Sequence, residues 1–315
     1  MSGGTAPAVR LTGLTRHFRD VRAVDGLTFD VGAGELLGIV GPDGAGKTTT
    51  LRMLAGVLRP TAGDAVLAGV SVAQDPEGVK PHIAYMSQRF GLYADLTVRE
   101  NIEFYADLYE VPRAERPARL DRLYRFSALR PFENRLAGQL SGGMKQKLGL
   151  CCALVHEPEI LLLDEPTFGV DPISRRDLWL IVHEMVDHGT TVVLSTAYLD
   201  EAERCDRVAL LYDGRVVALD APDALQRLLE GKVFRVRASE PRRARDIIAR
   251  QPGVRCAALF GDAVHAVFED WERDWPGVHR RLAADGVTIL AEGPAEATLE
   301  DVFIDLVFAR ESHLE

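Results

Sequence analysis

Residues 41–48 combine three glycines with a lysine and a threonine at fixed spacing, Gly-x-x-x-x-Gly-Lys-Thr. Such glycines let backbone N–H groups turn inward toward phosphates, and a helix that begins at Lys47 directs its positive dipole end to the same place. Lys47 would contact the β- and γ-phosphates, and the Thr48 hydroxyl would bind Mg²⁺. The pattern predicts that a nucleoside triphosphate binds to this phosphate loop, through Gly41, Pro42, Asp43, Gly44, Ala45, Gly46, Lys47, Thr48 and Thr49.

Two acidic residues, Asp164 and Glu165, follow the aliphatic run at residues 160–163. Such a run is typical of a parallel strand that is buried on both faces, and α/β proteins bind ligands at the carboxyl ends of these strands. We expect Asp164 to hold Mg²⁺ through water and Glu165 to orient or deprotonate the attacking water. The two carboxylates therefore predict hydrolysis of the bound triphosphate.

A third motif, Leu-Ser-Gly-Gly-Met-Lys-Gln, occupies residues 140–146 and begins a helix with apolar periodicity. Ser141, Gly142 and Gly143, here called the signature turn, would form a helix N-terminus rich in free N–H groups. Such an N-terminus is a second potential anion site.

The elements that position these motifs follow from hydrophobic periodicity. Residues 9–31 alternate in character, as antiparallel strands do, and residues 36–40 form an apolar strand before the phosphate loop. Residues 96–139 are mainly helical in pattern. After residue 230 the pattern changes to a small α+β domain, with strands or helices expected at residues 232–237, 241–251, 254–267, 278–285 and 287–290.

The last predicted helix, residues 297–307, begins with the capping pair Thr298 and Asp301. Its spacing places an apolar face on one side, formed by Leu299, Val302, Phe303 and Leu306. We expect this helix to dock on the small domain.

Composition limits the class of protein. The chain has 315 residues and a net charge of −10, which argues against a nucleic-acid partner because phosphate backbones require a basic surface. No apolar stretch approaches the roughly 20 residues needed to cross a bilayer, and no basic-then-apolar leader begins the sequence. The four cysteines lack metal or redox spacing, so we expect reduced, packed thiols in a cytosolic protein.

Together the three motifs resemble the ATP-binding cassette of ABC transporters. The resemblance covers residues 9–230 and is most specific in the LSGGM and LLLDEP motifs. The sequences LSGGMKQKLGL, DEPTFGVDPISRRDLW and YLDEAERCDRV are similar to the cassettes of bacterial ABC-2-type exporters. The implied fold is α/β, with a RecA-like core, an antiparallel β subdomain and a helical subdomain at about residues 89–150. The implied domains are residues 1–230 and, for the C-terminal α+β extension, residues 231–315.

The resemblance also assigns further site residues. Phe18 falls where the family stacks an aromatic ring on adenine, and Gln88 where it contacts Mg²⁺ and the lytic water. The signature turn would complete the ATP pocket of a facing cassette, which implies a dimer with two ATP molecules at its interface. Asp171 falls in the segment through which the two pockets sense each other.

One position departs from the family pattern. The strand at residues 190–196 should be followed by a histidine that contacts the γ-phosphate, but the residue is Ala197. His183 and His188 precede that strand and offer no obvious substitute. Some first cassettes of tandem-cassette exporters show a similarly altered residue. We therefore expect an asymmetric pair of sites and a heterodimer of cassettes, with a homodimer as the alternative.

The resemblance implies a peripheral ATPase on the cytoplasmic face of the membrane that requires ATP and Mg²⁺ and acts with an ABC-2-type membrane subunit. A soluble ABC-type ATPase and a regulatory cassette with little hydrolysis are the alternatives. The membrane subunit would dock between Gln88 and Glu100, where apolar side chains recur at Phe90, Leu92, Tyr93 and Leu96.

Overall fold

The structure, a computed structural model, describes residues 6–88 and 91–311. The chain forms two compact units. The first consists of the residues up to Tyr198 together with Cys205–Val216, and the second consists of Leu199–Arg204 together with the chain from Val217 onward. The domain boundary expected after residue 230 stays a prediction.

An antiparallel sheet in the first unit is formed by β1 (Val9–Phe18), β2 (Val21–Val31), β4 (Ala62–Leu67) and β5 (Val70–Ser71). The strand order is β2-β1-β4-β5. Val9, Leu11 and Leu14 of β1 are buried and the residues between them are more exposed, which is the alternation expected of a sheet with one covered face.

A parallel sheet is formed by β3 (Leu36–Val40), β6 (Ile83–Met86), β7 (Ile160–Asp164), β8 (Thr191–Thr196) and β9 (Arg207–Tyr212). These strands lie in the order β9-β3-β8-β7-β6. Every residue of β3, β7 and β8 is buried, in agreement with their continuous apolar sequences. Because the strands are parallel, their carboxyl ends meet at one edge of the sheet. A further strand, β10 (Arg215–Asp220), spans the division between the units.

The described helices of the first unit are α1 (Lys47–Leu54), α2 (Pro76–Val79), α3 (Val98–Leu108), α4 (Arg116–Ser127), α5 (Gly142–Leu154) and α6 (Pro172–Asp187). Helix α5 packs against α3, α4 and α6. A capping box begins α3, because Thr97 accepts a bond from the Glu100 N–H while the Glu100 carboxylate accepts one from the Thr97 N–H. Short 3₁₀ turns occur at Lys80–His82, Arg130–Phe132 and Ala137–Gln139.

The second unit contains α7 (Leu199–Ala202), α8 (Pro222–Gln226), a 3₁₀ turn (Arg227–Leu229), β11 (Val233–Ala238), α9 (Pro241–Ile248), β12 (Val254–Phe260), β13 (Ala263–Phe268), α10 (Trp271–Ala284), β14 (Ile289–Pro294) and α11 (Leu299–Glu311). From β11 to β14 the order is β-α-β-β-α-β, and the antiparallel sheet has the order β12-β13-β11-β14. This is the ferredoxin-like arrangement. Its core contains side chains from the sheet, α9 and α10, with Phe234, Phe268 and Trp275 among the largest.

Helix α10 begins earlier than the sequence indicates. The sequence predicts a start near Val278, after a Pro276-Gly277 pair of a kind that normally interrupts a helix. In the structure, Asp270 caps the helix by accepting a bond from the Arg273 N–H, and Pro276 lies inside it. Tertiary packing overrides the local signal, because Trp275 is buried in the core of the unit.

Helix α11 docks through carboxylates as well as apolar groups. Leu299 and Val302 are buried as expected, but the other fully buried side chains are Asp301 and Asp305. The carboxylate of Asp301 lies 3.1 Å from Nδ1 of His265. Asp305 accepts a bond of 2.6 Å from Arg255, and burial raises the pKa of Asp305 above its usual value. Pairing of Asp301 with His265 and of Asp305 with Arg255 therefore fixes this helix in addition to the cap and the apolar face that the sequence predicts.

No helix within residues 6–88 and 91–311 has the length and apolar character needed to traverse a bilayer. All four cysteines are buried free thiols. Burial raises the pKa of Cys151 to about 11, which keeps this thiol protonated and unreactive.

Candidate nucleotide-binding site

The phosphate loop connects the end of β3 to the start of α1, at the carboxyl edge of the parallel sheet. Gly46 caps α1 in the left-handed region, with φ of 102°. A Cβ atom at Gly46 would overlap the carbonyl oxygen of Ala23, and one at Gly41 would overlap that of Leu211. Neighbouring backbone thus requires glycine at both positions, as the motif predicts.

The other residues predicted to bind nucleotide are placed on or beside this loop. Pro42, Asp43 and Gly44 form its exposed turn, Ala45 is buried beneath it, and Thr49 lies in the first turn of α1. The loop therefore presents several main-chain N–H groups at the N-terminus of a helix, where phosphates bind.

The side chain of Lys47 is only 4% exposed and is surrounded by oxygen atoms. Its Nζ donates to the carbonyl oxygens of Gly41 at 2.8 Å and Pro42 at 3.1 Å. The same amine lies 3.3 Å from a carboxylate oxygen of Glu165. Lys47 thus supplies a buried positive charge between the phosphate loop and Glu165.

Asp164 ends β7 and is almost fully buried. Its Oδ1 accepts hydrogen bonds of 2.8 Å from the hydroxyls of Thr48 and Ser195, and its Oδ2 accepts one of 3.2 Å from Tyr85. Burial raises the pKa of Tyr85 to about 12, and the charge of Asp164 adds to this shift. Tyr85 therefore stays protonated and donates to Asp164 at physiological pH.

The oxygen atoms around Asp164 suit a hard divalent cation. Mg²⁺ prefers a few carboxylate and hydroxyl oxygens and retains several waters, and Thr48 with Asp164 provides such a pair. Gln88 donates its amide N–H to Glu165, the neighbour of Asp164. Thr48 and Asp164 therefore fit the predicted metal site, and the role of Gln88 as a third ligand stays a prediction.

Glu165 follows β7 in a left-handed conformation, with φ of 49°. Such a conformation costs a non-glycine residue about 1–3 kcal/mol and is enriched at functional sites. Its N–H is held by the carbonyl and hydroxyl oxygens of Ser195, each at 3.1 Å. Gln88 donates at 3.2 Å to one oxygen of the Glu165 carboxylate, and Lys47 contacts the other. The structure thus brings together Lys47, Gln88 and Glu165, all predicted to be catalytic.

Ser195 and Tyr85 contribute to the site but were not predicted from the sequence. Ser195 lies directly beside Asp164 in the ladder between β8 and β7. The one signal in the sequence was that Ser195 is a polar residue near the end of an apolar strand. Which strands lie next to β7 depends on the strand order, and a single sequence does not show that order.

The signature turn begins α5. Ser141 caps the helix by accepting a bond from the Met144 N–H. Asp171 caps α6 in the same way, by accepting bonds from the N–H groups of Ile173 and Ser174. Hydrogen bonds from Ser174 hold the pKa of Asp171 below its usual value, so the cap is ionised near neutral pH.

The two helix N-termini are in close contact at Gly143. A Cβ atom built at Gly143 would overlap both Cβ and Oγ of Ser174. At Gly142, by contrast, an added Cβ meets no atom within 4 Å. The two adjacent glycines therefore have different structural roles.

Replacing Gly143 with alanine is expected to destabilise the protein by about 1–3 kcal/mol, because α5 and α6 must move apart. Gly142→Ala is the matched control and should be neutral or slightly stabilising, since alanine favours a helix over glycine. Thermal unfolding of the purified variants measures both effects. Equal stability of the two variants would show that the contact between the helices does not contribute to the free energy of unfolding.

Phe18 and the signature turn are not joined by described contacts to the cluster around Glu165. Phe18 ends β1 and is 43% exposed, and the guanidinium carbon of Arg16 lies 4.6 Å from its ring centroid. An exposed ring of this kind can stack on a planar base. Its role toward adenine stays a prediction.

Ala197 is exposed directly after β8. The two histidines considered as substitutes lie on and after α6. The ring of His183 lies beside Trp179, and the Nδ1 of His188 bonds the carbonyl of Glu184. These contacts of the two histidine rings are therefore with residues of α6 and not with Ala197.

The fold and the loop define the class of protein, a P-loop nucleotide-binding protein with an α/β core. Residues 24–168 match the ABC transporter family. A probable multidrug ABC transporter ATP-binding protein, YbhF of Escherichia coli, is 43% identical over 95% of this chain. The chain spans about half of that relative, 52% of its length.

Other relatives match along nearly their full length. The daunorubicin resistance ATP-binding protein DrrA2 of Streptomyces coeruleorubidus is 34% identical over 98% of this chain and 97% of its own. The Nod factor export ATP-binding protein I of Burkholderia pseudomallei is 36% identical over 92% of this chain and 94% of its own length. The chain belongs to the ATP-binding proteins of the ABC transporter family.

Solved structures of ABC transporter cassettes are similar to this chain as well. The ATP-binding subunit of an ABC transporter is similar at a TM-score of 0.65 and 32% identity, over 71% of this chain and 93% of that one. The MJ0796 cassette, in a dimeric structure with ADP and phosphate, has a TM-score of 0.61 and 26% identity. The match covers 68% of this chain and 98% of that one. The predicted fold class and family are confirmed.

Proposed function

We propose that this chain is the ATP-binding and ATP-hydrolysing subunit of an ABC-2-type exporter. The observation that supports this most directly is the meeting of Lys47, Gln88 and Glu165 beside a phosphate loop at the carboxyl edge of the sheet. The names of the relatives, which concern multidrug, daunorubicin and Nod factor export, support the transport role.

In the proposed reaction, the N–H groups of the phosphate loop and the Lys47 amine hold the triphosphate of ATP, while Phe18 stacks on its adenine. Thr48, Asp164 and Gln88 would hold Mg²⁺, which neutralises charge on the phosphates when bound. Glu165 orients or deprotonates the attacking water, and Gln88 holds the Glu165 carboxylate in place. The products are ADP and phosphate.

The proposed assembly contains two cassettes and a membrane subunit, at the cytoplasmic face of the membrane. The signature turn and Asp171 would complete the ATP pocket of the second cassette. The acidic net charge of −10 supports a protein partner over a nucleic acid. ATP-driven closing and opening of the cassette pair would then be transmitted to the membrane subunit.

One observation favours a second candidate function. Ala197 offers no side-chain donor to a γ-phosphate, and a cassette without that donor could bind ATP mainly to regulate its partner. The arrangement of Glu165 beside Lys47 and Gln88 favours hydrolysis instead. Phosphate release from ATP, measured with the purified chain alone and within its transporter, separates the two functions.

The proposed docking surface is the segment between Gln88 and Glu100. Tyr93 is 47% exposed and its ring lies 4.6 Å from that of Phe104, which is also partly exposed. Leu92 lines a cavity of about 270 Å³ together with Gln88, Ala94, Ala137, Gly138, Lys145 and Gln146. Leu96 is half-buried, and Phe90 lies outside the described residues. An aromatic and aliphatic surface beside a cavity suits a short helix of a membrane partner.

Replacing both Leu92 and Tyr93 with aspartate is expected to abolish co-purification with the membrane subunit while ATP affinity stays unchanged. Charges on this surface oppose burial of the partner, and neither side chain belongs to the phosphate loop. Val57→Asp is the matched control, because Val57 is an apolar residue that is 65% exposed outside this surface. The docking role is contradicted if the double variant loses ATP binding as well as association with the membrane subunit. It is also contradicted if the variant retains both.

A further inference from the structure

A cation–π contact joins α6 to the segment that follows β8. The guanidinium carbon of Arg175 lies 4.7 Å from the ring centroid of Tyr198. Arg175 belongs to the first turn and a half of α6, and Tyr198 directly follows Ala197. The contact therefore anchors the residue next to the position that would face the γ-phosphate.

The segment is also tied to the strand before it. The Tyr198 N–H donates a 3.0 Å bond to the Thr196 hydroxyl. One residue earlier, Ser195 holds both Asp164 and the backbone of Glu165. A displacement of Tyr198 would thus be transmitted to the end of β8, which positions the two carboxylates.

The same end of α6 contacts the signature turn. Ser174, the neighbour of Arg175, packs against Gly143 so closely that no Cβ fits between them. Asp171 and Ser174 are joined by the hydrogen bond that caps the helix. One end of a rigid helix therefore touches the signature turn through Ser174 and the segment after β8 through Arg175.

We propose that Arg175 and Tyr198 are positioning residues that couple this chain's own ATP site to the signature turn, and through it to the pocket of the second cassette. The inference rests on the proposed function. Alanine at position 197 cannot hold the segment by a side-chain contact to phosphate. The aromatic anchor at Tyr198 takes over the placement of the segment, and α6 relays its position.

The test compares Tyr198→Leu, Arg175→Gln, the double variant and Tyr198→Phe in the transporter assembly with its second cassette. Tyr198→Leu and Arg175→Gln should each lower kcat about three- to tenfold with KM for ATP unchanged, since the phosphate loop is intact. The double variant should lose no more than either single one, because both changes break the same contact. Tyr198→Phe keeps the ring and should retain kcat.

The outcomes separate this inference from the proposed function. Absence of hydrolysis by the wild-type assembly overturns the proposed function and the coupling with it. Normal wild-type hydrolysis overturns the coupling alone in any of three cases: kcat is unchanged in both single variants, the losses multiply in the double variant, or Tyr198→Phe is as impaired as Tyr198→Leu. A general loss of stability would lower the unfolding temperature, so thermal unfolding of each variant is measured beside kcat. We expect unchanged unfolding temperatures, and a fall in kcat that matches a fall in unfolding temperature overturns the coupling.

Discussion

Replacing Ala197 with histidine is expected to raise ATP turnover at this chain's own phosphate loop by on the order of 10²–10³-fold. One preorganised donor to the charge that develops in a transition state contributes about 3–4 kcal/mol, and Ala197 lacks such a donor. The loop, Lys47 and Glu165 are otherwise assembled for the reaction. Phosphate release by the purified chain, with and without the substitution, measures the effect.

The control for this substitution is Ala197→Phe, which adds a ring of similar size without a hydrogen-bond donor. We expect Ala197→Phe to leave turnover low and Ala197→His to raise it, with little change in ATP affinity for either variant. If the wild-type chain alone already hydrolyses ATP at the rate of the histidine variant, another group supplies the donor and the asymmetry is wrong.

The same substitution distinguishes the two dimers. A homodimer carries Ala197 in both pockets, so its turnover should rise strongly with Ala197→His. In a heterodimer, the signature turn of this chain completes a pocket on a second cassette that carries the histidine. Turnover of the wild-type heterodimer should therefore be high already, and Ala197→His should change it little.

Replacing Glu165 with glutamine is expected to lower turnover by about 10²–10⁴-fold, because a general base of this kind contributes that much to rate. Glutamine has the same shape but does not accept a proton from water. ATP affinity should be retained or increased, since the substitution removes a negative charge 3.3 Å from the Lys47 amine that would otherwise repel the phosphates. Equilibrium binding of a fluorescent ATP analogue, alongside phosphate release, measures the two effects separately.

Glu159→Gln is the matched control, because Glu159 immediately precedes the opposite end of the same strand and pairs with His82 at the surface. It should leave both turnover and affinity unchanged. A Glu165→Gln variant that hydrolyses ATP at the wild-type rate would assign the base to another residue.

Local sequence was sufficient for the features that depend on neighbouring residues. Backbone conformation and close approach require glycine at Gly41 and Gly46, so the phosphate loop was readable from spacing alone. Continuous apolar runs predicted the buried parallel strands that precede the loop and Asp164. The capping pair Thr298 and Asp301 likewise predicted where a helix begins, since a cap involves residues only three positions apart.

Long-range packing decided the rest. The order of strands placed Ser195 beside Asp164, and the contact between the N-termini of α5 and α6 placed Gly143 against Ser174. These contacts join residues about 30 positions apart or more, and no local propensity encodes them.

The amino-acid sequence by itself determined the family, the phosphate loop and the absence of histidine at position 197, because each depends on residue type and spacing. Only the tertiary structure showed that Asp301 and Asp305 are buried in α11, and that Arg175 meets Tyr198. A carboxylate is buried only where a partner such as His265 or Arg255 satisfies it. The contact between Arg175 and Tyr198 joins two segments that are distant in sequence, so it forms only when the chain folds.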